Sequence, residues 1–448
     1  MAKKTLDMTN GPFLKKIFIF AVPLMATGFL QLLYNSADTA IVGRFAGSQA
    51  LAAVGSTGSL IHLIINVFIG LSMGSGVMVA RHIGADDKSR IEKSVHTAMT
   101  LALVSGLIVA AIGFFFSGIF LRLMHVQDEV LELSTLYLKI YFMGAPGSLV
   151  YNFGAALMRA SGDTKRPLYI LSASGLVNVI LNLILVIPLK MSVAGVAIAT
   201  IVSQYMTAVI VVICLMKTSG VIKLNLKKLG FNKRELWSIV RIGVPAGLQN
   251  SLFSISNVII QSAVNSFGDI AMAGIAAGSQ YDGYIYVCTN AVAQTTMTFT
   301  SQNMGAARYK NINKVYGYCF CIATVISVVM SGFGYVFRDT IVQLFAEDPD
   351  VISIGAARLA LVIPFYAFCS LQDVTAGQIR GMGRSFEPMI LSLFGTCVVR
   401  LAWIFIILPA DRTLMDIYWA YPVSWFVTFA ALNVLYLFLI RKLKKKKF

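Results

Sequence analysis

Long apolar runs alternate with short polar segments over the whole chain. Twelve of them fall at roughly 17–43, 51–80, 94–118, 131–158, 168–189, 193–216, 238–265, 270–300, 315–337, 352–379, 389–409 and 416–440. A run of about 20 apolar residues crosses a bilayer as a helix. The pattern therefore predicts an all-α integral membrane protein with twelve transmembrane helices. A membrane β-barrel would show short segments of strict alternation instead. The first run is not purely apolar. Thr27, Gln31, Tyr34 and Asp38 follow one another at helical spacing and form one polar stripe. A carboxylate inside a span costs about 2.5–3.5 kcal/mol on insertion scales, so Asp38 is expected to face protein or a watery cavity rather than lipid. Ala40, Ile41 and Val42 continue the apolar run beyond it, which argues against its simply ending the helix.

The chain repeats itself. Val22-Pro23 matches Val244-Pro245, Ala50-Leu51-Ala52 matches Ala271-Met272-Ala273, and Gly84-Ala85 matches Gly305-Ala306. Arg159, Gly162, Pro167 and Pro188 match Arg380, Gly383, Pro388 and Pro409. After the first pair the offset stays at 221 residues. Each half has an even number of spans, so both enter the membrane in the same sense and form two parallel-repeat six-helix bundles. The expected division is an N-terminal bundle over 1–216, a linker over 217–237 and a C-terminal bundle with a basic tail over 238–448. Repeats of this type give alternating access by moving one half against the other.

Charge fixes the orientation. The chain of 448 residues is 57% hydrophobic and only 13% charged, yet its net charge is +17. With the N-terminus inside, 28 of the 37 Lys and Arg fall on inner segments and five on outer ones: Arg44, Arg122, Lys190, Arg338 and Arg412. That asymmetry follows the positive-inside rule and places both termini in the cytoplasm. It accounts for the charge without a nucleic-acid partner. The basic end, Lys442–Lys447, reads as an anchor to the lipid surface. The first run is a full span with no cleavage pattern after it, so no removed signal peptide is expected. The six cysteines all lie in apolar spans without metal-ligand neighbours; Cys319 and Cys321 belong to different faces of one helix.

Polar residues inside the other spans form further stripes: Thr200, Ser203, Gln204 and Thr207 in span six, and Asn250, Ser254, Asn257, Gln261 and Asn265 in span seven. Span five has Asn178 and Asn182, one turn apart. Ser59, His62 and Asn66 lie in span two, with His62 expected as an interior hydrogen-bonder. Three acids sit well inside spans: Asp38, Asp282 and Asp373. At most one of them has a plausible basic partner along its own helix: Arg380 lies seven residues past Asp373. A carboxylate held in a low-dielectric cavity exchanges a proton, and with amide oxygens beside it becomes a hard oxygen site for Na+. Asp38 is the candidate Na+ ligand. No phosphate-binding G-x-x-x-x-G-K-[ST] and no H-E-x-x-H is present, so no ATP motor and no such metal centre is expected in the chain. The one G-x-S-x-G match, Gly70–Gly74, lies in the middle of an apolar span and fits the small-residue helix-packing pattern rather than a nucleophile elbow.

The early Val-Pro in each half, Y-N-S-A-D-T-A-I-V-G-R (Tyr34–Arg44), N-V-I-L-N (Asn178–Asn182) and the paired loops R-A-S-G-D-T-K-R-P (Arg159–Pro167) and R-G-M-G-R-S-F-E-P (Arg380–Pro388) together resemble the multidrug and toxic compound extrusion (MATE) family. The resemblance covers nearly the whole chain. Their order and spacing carry it more than any single motif. It implies a cation-coupled efflux antiporter, with no cofactor beyond a coupling ion, H+ or Na+. By resemblance, the first-half cation site uses Asp38 with Asn152, Asn178, Asn182 and Thr200. Some members carry an acid where this chain has Asn182, which leaves Asp38 as the sole acid of that site. In the second half, Asp282 and Asp373 match acids used by other members, and Gln261 stands about where a third would be. Asn152 and Asp373 are related by the same 221-residue offset.

These readings converge on a non-enzymatic, monomeric exporter of the cytoplasmic membrane, in contact with lipid and moving organic cations or other amphipathic small molecules against inward H+ or Na+. The alternatives are a lipid-linked oligosaccharide flippase, which calls for a basic stripe facing pyrophosphate, and an exporter of an endogenous metabolite. Lys139, Arg241, Arg358 and Arg400 are the basic residues in or near spans available for such a stripe.

Overall fold

The computed structural model describes residues 6–407 and 413–445. The landmark Pro409, the outer Arg412 and the tail residues Lys446 and Lys447 lie outside them. The described residues contain helices and no strand, as lipid demands of a chain that does not close a barrel. In order they are α1 (Phe13–Ile41), α2 (Ser48–Gly84), α3 (Lys88–Leu123), α4 (Asp128–Met143), α5 (Ala145–Ala160), α6 (Lys165–Val186), α7 (Ser192–Lys217), α8 (Lys233–Asn265), α9 (Asp269–Gly305), α10 (Tyr309–Val336), α11 (Arg338–Gln343), α12 (Pro349–Val362), α13 (Tyr366–Gly381), α14 (Phe386–Ser392), α15 (Val399–Ile406) and α16 (Leu414–Lys445). A π-helical turn, Val42–Ala46, prolongs α1, and another, Leu393–Val398, joins α14 to α15.

These helices make the twelve expected spans, with two differences. Span four is broken at Gly144 into α4 and α5, and span ten is broken at the 3-10 turn Ile363–Phe365 into α12 and α13. Pro146 opens α5 and Pro364 sits in the second break, where a missing N–H interrupts the helical ladder. Among the described residues, nine helical stretches are by themselves long and apolar enough to cross a membrane. The other three are the broken span four and the two carrying amides and an acid, α8 and α9.

The repeat is visible in backbone detail. α2 and α9 begin and end 221 residues apart, and so do α5 and α13. The left-handed residues recur at the same offset: Gly47 with Gly268, Asp86 with Ala307, and Gly162 with Gly383. At Gly47 and Gly268, φ is +90°, a turn that glycine makes without the steric cost of a side chain.

Contacts group the chain into two compact units. The first holds the described residues up to Met8 together with Val22–Gly247; the second holds Thr9–Ala21 and the described residues from Leu248 onward. Two of the three changes of unit fall inside a helix close to a proline, Pro23 in α1 and Pro245 in α8. Each of these prolines leaves the carbonyl four residues earlier without its helical N–H partner.

In the first unit, Leu138, Phe142, Leu149, Val196 and Ala197 centre the core. α3 packs tightly on α4 because Gly113 has no side chain: a Cβ there would lie 2.1 Å from the Phe142 ring. The first half of α8 is clamped on α2 in the same way. A Cβ on Gly70 would come 2.3 Å from the Gly247 nitrogen, and one on Gly247 would come 2.4 Å from the Val67 oxygen. The run Gly70–Gly74 thus meets a second small-residue run, Gly243–Gly247. In the second unit, Leu359, Val362, Ile363, Tyr366 and Trp425 form the core. Residues 9–21 join it through Phe20, edge-on to Phe299 at 5.6 Å, and through Asn311 Nδ2 donating to the Thr9 carbonyl at 2.9 Å.

Candidate functional site

Of the polar stripe of α1, Tyr34 and Asp38 face α6. Thr27 Oγ1 donates to the Pro23 carbonyl, and Gln31 is exposed. The Tyr34 ring fills the space above Gly175, where a Cβ would lie 2.0 Å from it, and its hydroxyl donates to the Ser172 carbonyl at 3.1 Å. Below it, Asp38 Oδ1 accepts from Asn182 Nδ2 at 2.5 Å. The same amide nitrogen donates to Asn178 Oδ1 at 3.3 Å. Asn178 and Asn182, one turn apart on α6, are both buried. Asn182 Oδ1 is also buried and receives no hydrogen bond. No basic side chain among the described residues pairs with Asp38. The Tyr137 and Tyr141 hydroxyls of α4 lie within electrostatic reach of it, their rings 5.9 Å apart and stacked.

Three of the five first-half candidates therefore form one connected group: Asp38, Asn178 and Asn182. The other two bond their own helices. Asn152 Nδ2 donates to the Ser148 carbonyl and Thr200 Oγ1 to the Val196 carbonyl, both at 2.9 Å. Tyr137 and Tyr141 were not legible as part of this group. Their four-residue spacing reads as packing, and nothing in one helix shows that α4 comes within electrostatic reach of Asp38.

The second-half acids sit differently. Asp282 is not a lone carboxylate: Arg358 Nη2 of α12 donates to its Oδ2 at 2.6 Å, and Arg358 is 3% exposed. The pair crosses from α9 to α12, which a search along one helix misses. Tyr366 also donates to the Asp282 main-chain carbonyl at 3.1 Å. Asp373 makes no hydrogen bond or ion pair with a described residue. Arg380 is within electrostatic reach of it, but Arg380 Nη2 donates to Gln249 Oε1 at 2.6 Å. Gln261 is exposed and donates to Asn265 Oδ1 one turn on, at 3.0 Å. Arg400 pairs with no acid among the described residues. It lies buried with its guanidinium 4.5 Å from the Tyr421 ring centroid, donating to Ser424 Oγ and Asn257 Oδ1. His62 is exposed on α2 rather than an interior hydrogen-bonder. Cys319 is buried and Cys321 exposed, on different faces of α10 as their spacing implies.

One further group lies at the loop end of α2 and α3. Glu235, on the first turn of α8 and 1% exposed, accepts from His82 Nε2 at 2.9 Å, Ser94 Oγ at 2.8 Å and Arg90 Nε at 3.0 Å. Burial pushes its carboxyl up, but the hydrogen bonds from His82, Ser94 and Arg90 more than offset that and hold it at about 2.

Two six-span repeats, with acids and amides placed inside the spans, define a polytopic membrane protein of the kind that works by alternating access. Comparison with known families makes this specific. The MatE family model matches residues 23–184 and, a second time, residues 245–406. The chain belongs to this family of multidrug and toxic compound extrusion transporters, multi-pass membrane proteins that export small molecules using ion gradients. It is 26% identical over 401 residues to the probable multidrug resistance protein YpnP of Bacillus subtilis (strain 168), covering 89% of each chain. It is 24% identical to the probable multidrug resistance protein NorM of Thermotoga maritima, over 88% of this chain and 85% of that one. Two solved structures share the fold. One is an outward-facing multidrug resistance MATE family transporter of the MOP superfamily, with a TM-score of 0.93 at 24% identity over 99% of this chain and 100% of that chain. The other is a MOP superfamily transporter from Pyrococcus furiosus described by the reverse polarity of its binding pocket, with a TM-score of 0.93 at 23% identity over 99% of both chains.

Proposed function

We propose that the chain is a monomeric secondary antiporter. It exports organic cations or amphipathic compounds from the cytoplasm while H+ or Na+ enters through the Asp38 group, and both termini are cytoplasmic. The observation that carries this reading is the contrast between the two acids that have described partners. Asp282 has its charge compensated by Arg358. Asp38 has one amide partner among the described residues, Asn182, whose unused Oδ1 lies beside it. An uncompensated carboxylate in a low-dielectric place is costly, so it takes up a cation or a proton. Asp38, Asn178 and Asn182 supply hard oxygens for Na+, and a protonated Asp38 has an acceptor waiting in Asn182 Oδ1.

Coupling requires that the ion favour one state of the carrier over another. Asp38 and Asn182 join α1 to α6, so charging or neutralising Asp38 changes the link between them. α1 has a natural pivot at Pro23, where the helical ladder is interrupted. Ion binding repositions α1 about that point and releases substrate outside. A relative named for the same activity supports this reading: the multidrug export protein MepA of Staphylococcus aureus (strain MSSA476) is 21% identical over 87% of this chain and 86% of its own length.

A second reading, export of an anionic or lipid-linked metabolite, is favoured by one observation. Arg400 is buried without an acidic partner among the described residues, a place suited to a substrate anion. One experiment separates the two. Purified protein in proteoliposomes is loaded with a cationic dye such as ethidium or with an anionic dye, and a proton or a sodium gradient is imposed separately. Cationic-dye efflux under one gradient supports antiport and names the ion. Transport of the anionic dye alone, or of neither dye under either gradient, would count against cation export.

A further inference from the structure

The hairpin between α3 and α4 carries a groove that the transport reading does not use. Its volume is about 660 Å³, and it is lined by Phe115, Ile119, Arg122, Asp128, Glu132 and Lys139, among others. Its apolar wall is open: Phe115 is 72% exposed and Ile119 53%. Lys139 lies eleven residues into α4, which at 1.5 Å per residue is about 16 Å from the hairpin end of that helix. A lysine that deep beside lipid is rare unless something receives its charge. Among the described residues its ammonium has only the face of Phe114, 5.7 Å from the ring centroid. None of the groove's four charged side chains forms an ion pair with a described residue, although two acids and two bases share one groove.

Their order along the groove is informative. Helical side chains lean toward the N-terminus of their helix, so Lys139 reaches toward the hairpin, and Glu132 lies two turns above it on the same face. Seven residues separate the two by about 10 Å along the axis. A hydrogen bond at each end takes up about 6 Å of that. What remains is the span between the phosphate and the amine of a phospholipid headgroup. We propose that this groove binds an aminophospholipid. Its phosphate meets Lys139, its primary ammonium meets Glu132 and Asp128, and an acyl chain lies along Phe115 and Ile119. A zwitterion inserted between the acids and the base explains why they do not pair with one another. A primary amine offers the acids hydrogen bonds that a quaternary amine cannot. Placing the lipid in the outer leaflet rests on the proposed orientation; the binding itself does not.

The test is native mass spectrometry of the full-length protein in detergent, with phosphatidylethanolamine, phosphatidylcholine and phosphatidylglycerol of matched chains added in turn. Wild-type protein is expected to retain phosphatidylethanolamine over the other two. Lys139→Met is expected to lower that retention about tenfold, the loss of one charge-assisted hydrogen bond. Glu132→Gln is expected to level the three lipids. Gly118→Leu fills the groove from α3, where an added Cβ makes ordinary contact with Thr135 at 3.6 Å, and is expected to abolish retention without touching a charge. Equal retention of the three lipids by wild type, or wild-type behaviour of Lys139→Met and Gly118→Leu, would overturn the proposal. Neither outcome depends on transport, so the lipid site and the antiport reading fail separately.

Discussion

Replacing Glu235 by Gln should unfasten the first half of α8. The side chain keeps its shape and loses its charge, leaving Arg90 and His82 without the carboxylate they share. The magnitude follows from linkage. Glu235 is held at about 2 against an ordinary 4.5. At 1.36 kcal/mol per unit, that difference corresponds to at most about 3 kcal/mol of stability at neutral pH. The sign is that of a depressed acid. The stabilisation is fully present above pH 4.5, declines as pH falls, and is gone below about 2. Thermal unfolding of wild type and Glu235→Gln, purified in detergent and followed by tryptophan fluorescence, would show this as two curves. They stand apart at pH 7 and converge as the pH is lowered from 4.5 toward 2. Equal melting at pH 7, or a gap that stays constant across that window, would refute the reasoning.

Other perturbations test neighbouring parts of the account. Gly247→Leu places side-chain atoms where Val67 backbone already lies, so it should lower the melting temperature and the yield of folded protein, with overpacking of about 1–3 kcal/mol or more. Arg358→Met strands the half-buried Asp282 and should cost up to about 3 kcal/mol, whereas the double change Asp282→Asn with Arg358→Met should recover most of it in the same melting assay. Asn182→Leu removes the hydrogen bond from the amide to Asp38 and should raise the coupling-ion concentration needed for half-maximal efflux about tenfold, while expression and melting change little.

Much of the architecture was legible because a bilayer leaves few choices. Long apolar runs become helices, and the 221-residue offset in Ala50, Gly84, Arg159 and Gly162 returns as helix ends and left-handed residues at the same offset. The link between Asp38 and the Asn178–Asn182 pair was expected from resemblance to the family, and the structure joins them. What the sequence hid is tertiary. Arg358 is 76 residues from Asp282, so no pattern within one helix reveals their pairing. Glu235 stands among lysines and arginines in a polar stretch that reads as a solvated linker, yet it is buried because His82, Arg90 and Ser94 converge on it from α2 and α3. One available signal was Gly243–Gly247, spaced like Gly70–Gly74. Two matching small-residue runs on different helices point to a close crossing. The breaks at Gly144 and Ile363–Phe365 escaped because hydropathy averages over them.

The central claim is that Asp38 couples ion entry to export. Its most direct test is dye efflux from proteoliposomes under an imposed gradient, comparing wild type with Asp38→Asn and Asp373→Asn, alongside equilibrium binding of the same dye to each purified protein. Asp38→Asn is expected still to bind dye but to export none in response to the gradient, while Asp373→Asn remains gradient-driven. Gradient-driven efflux by Asp38→Asn at the wild-type rate would contradict it.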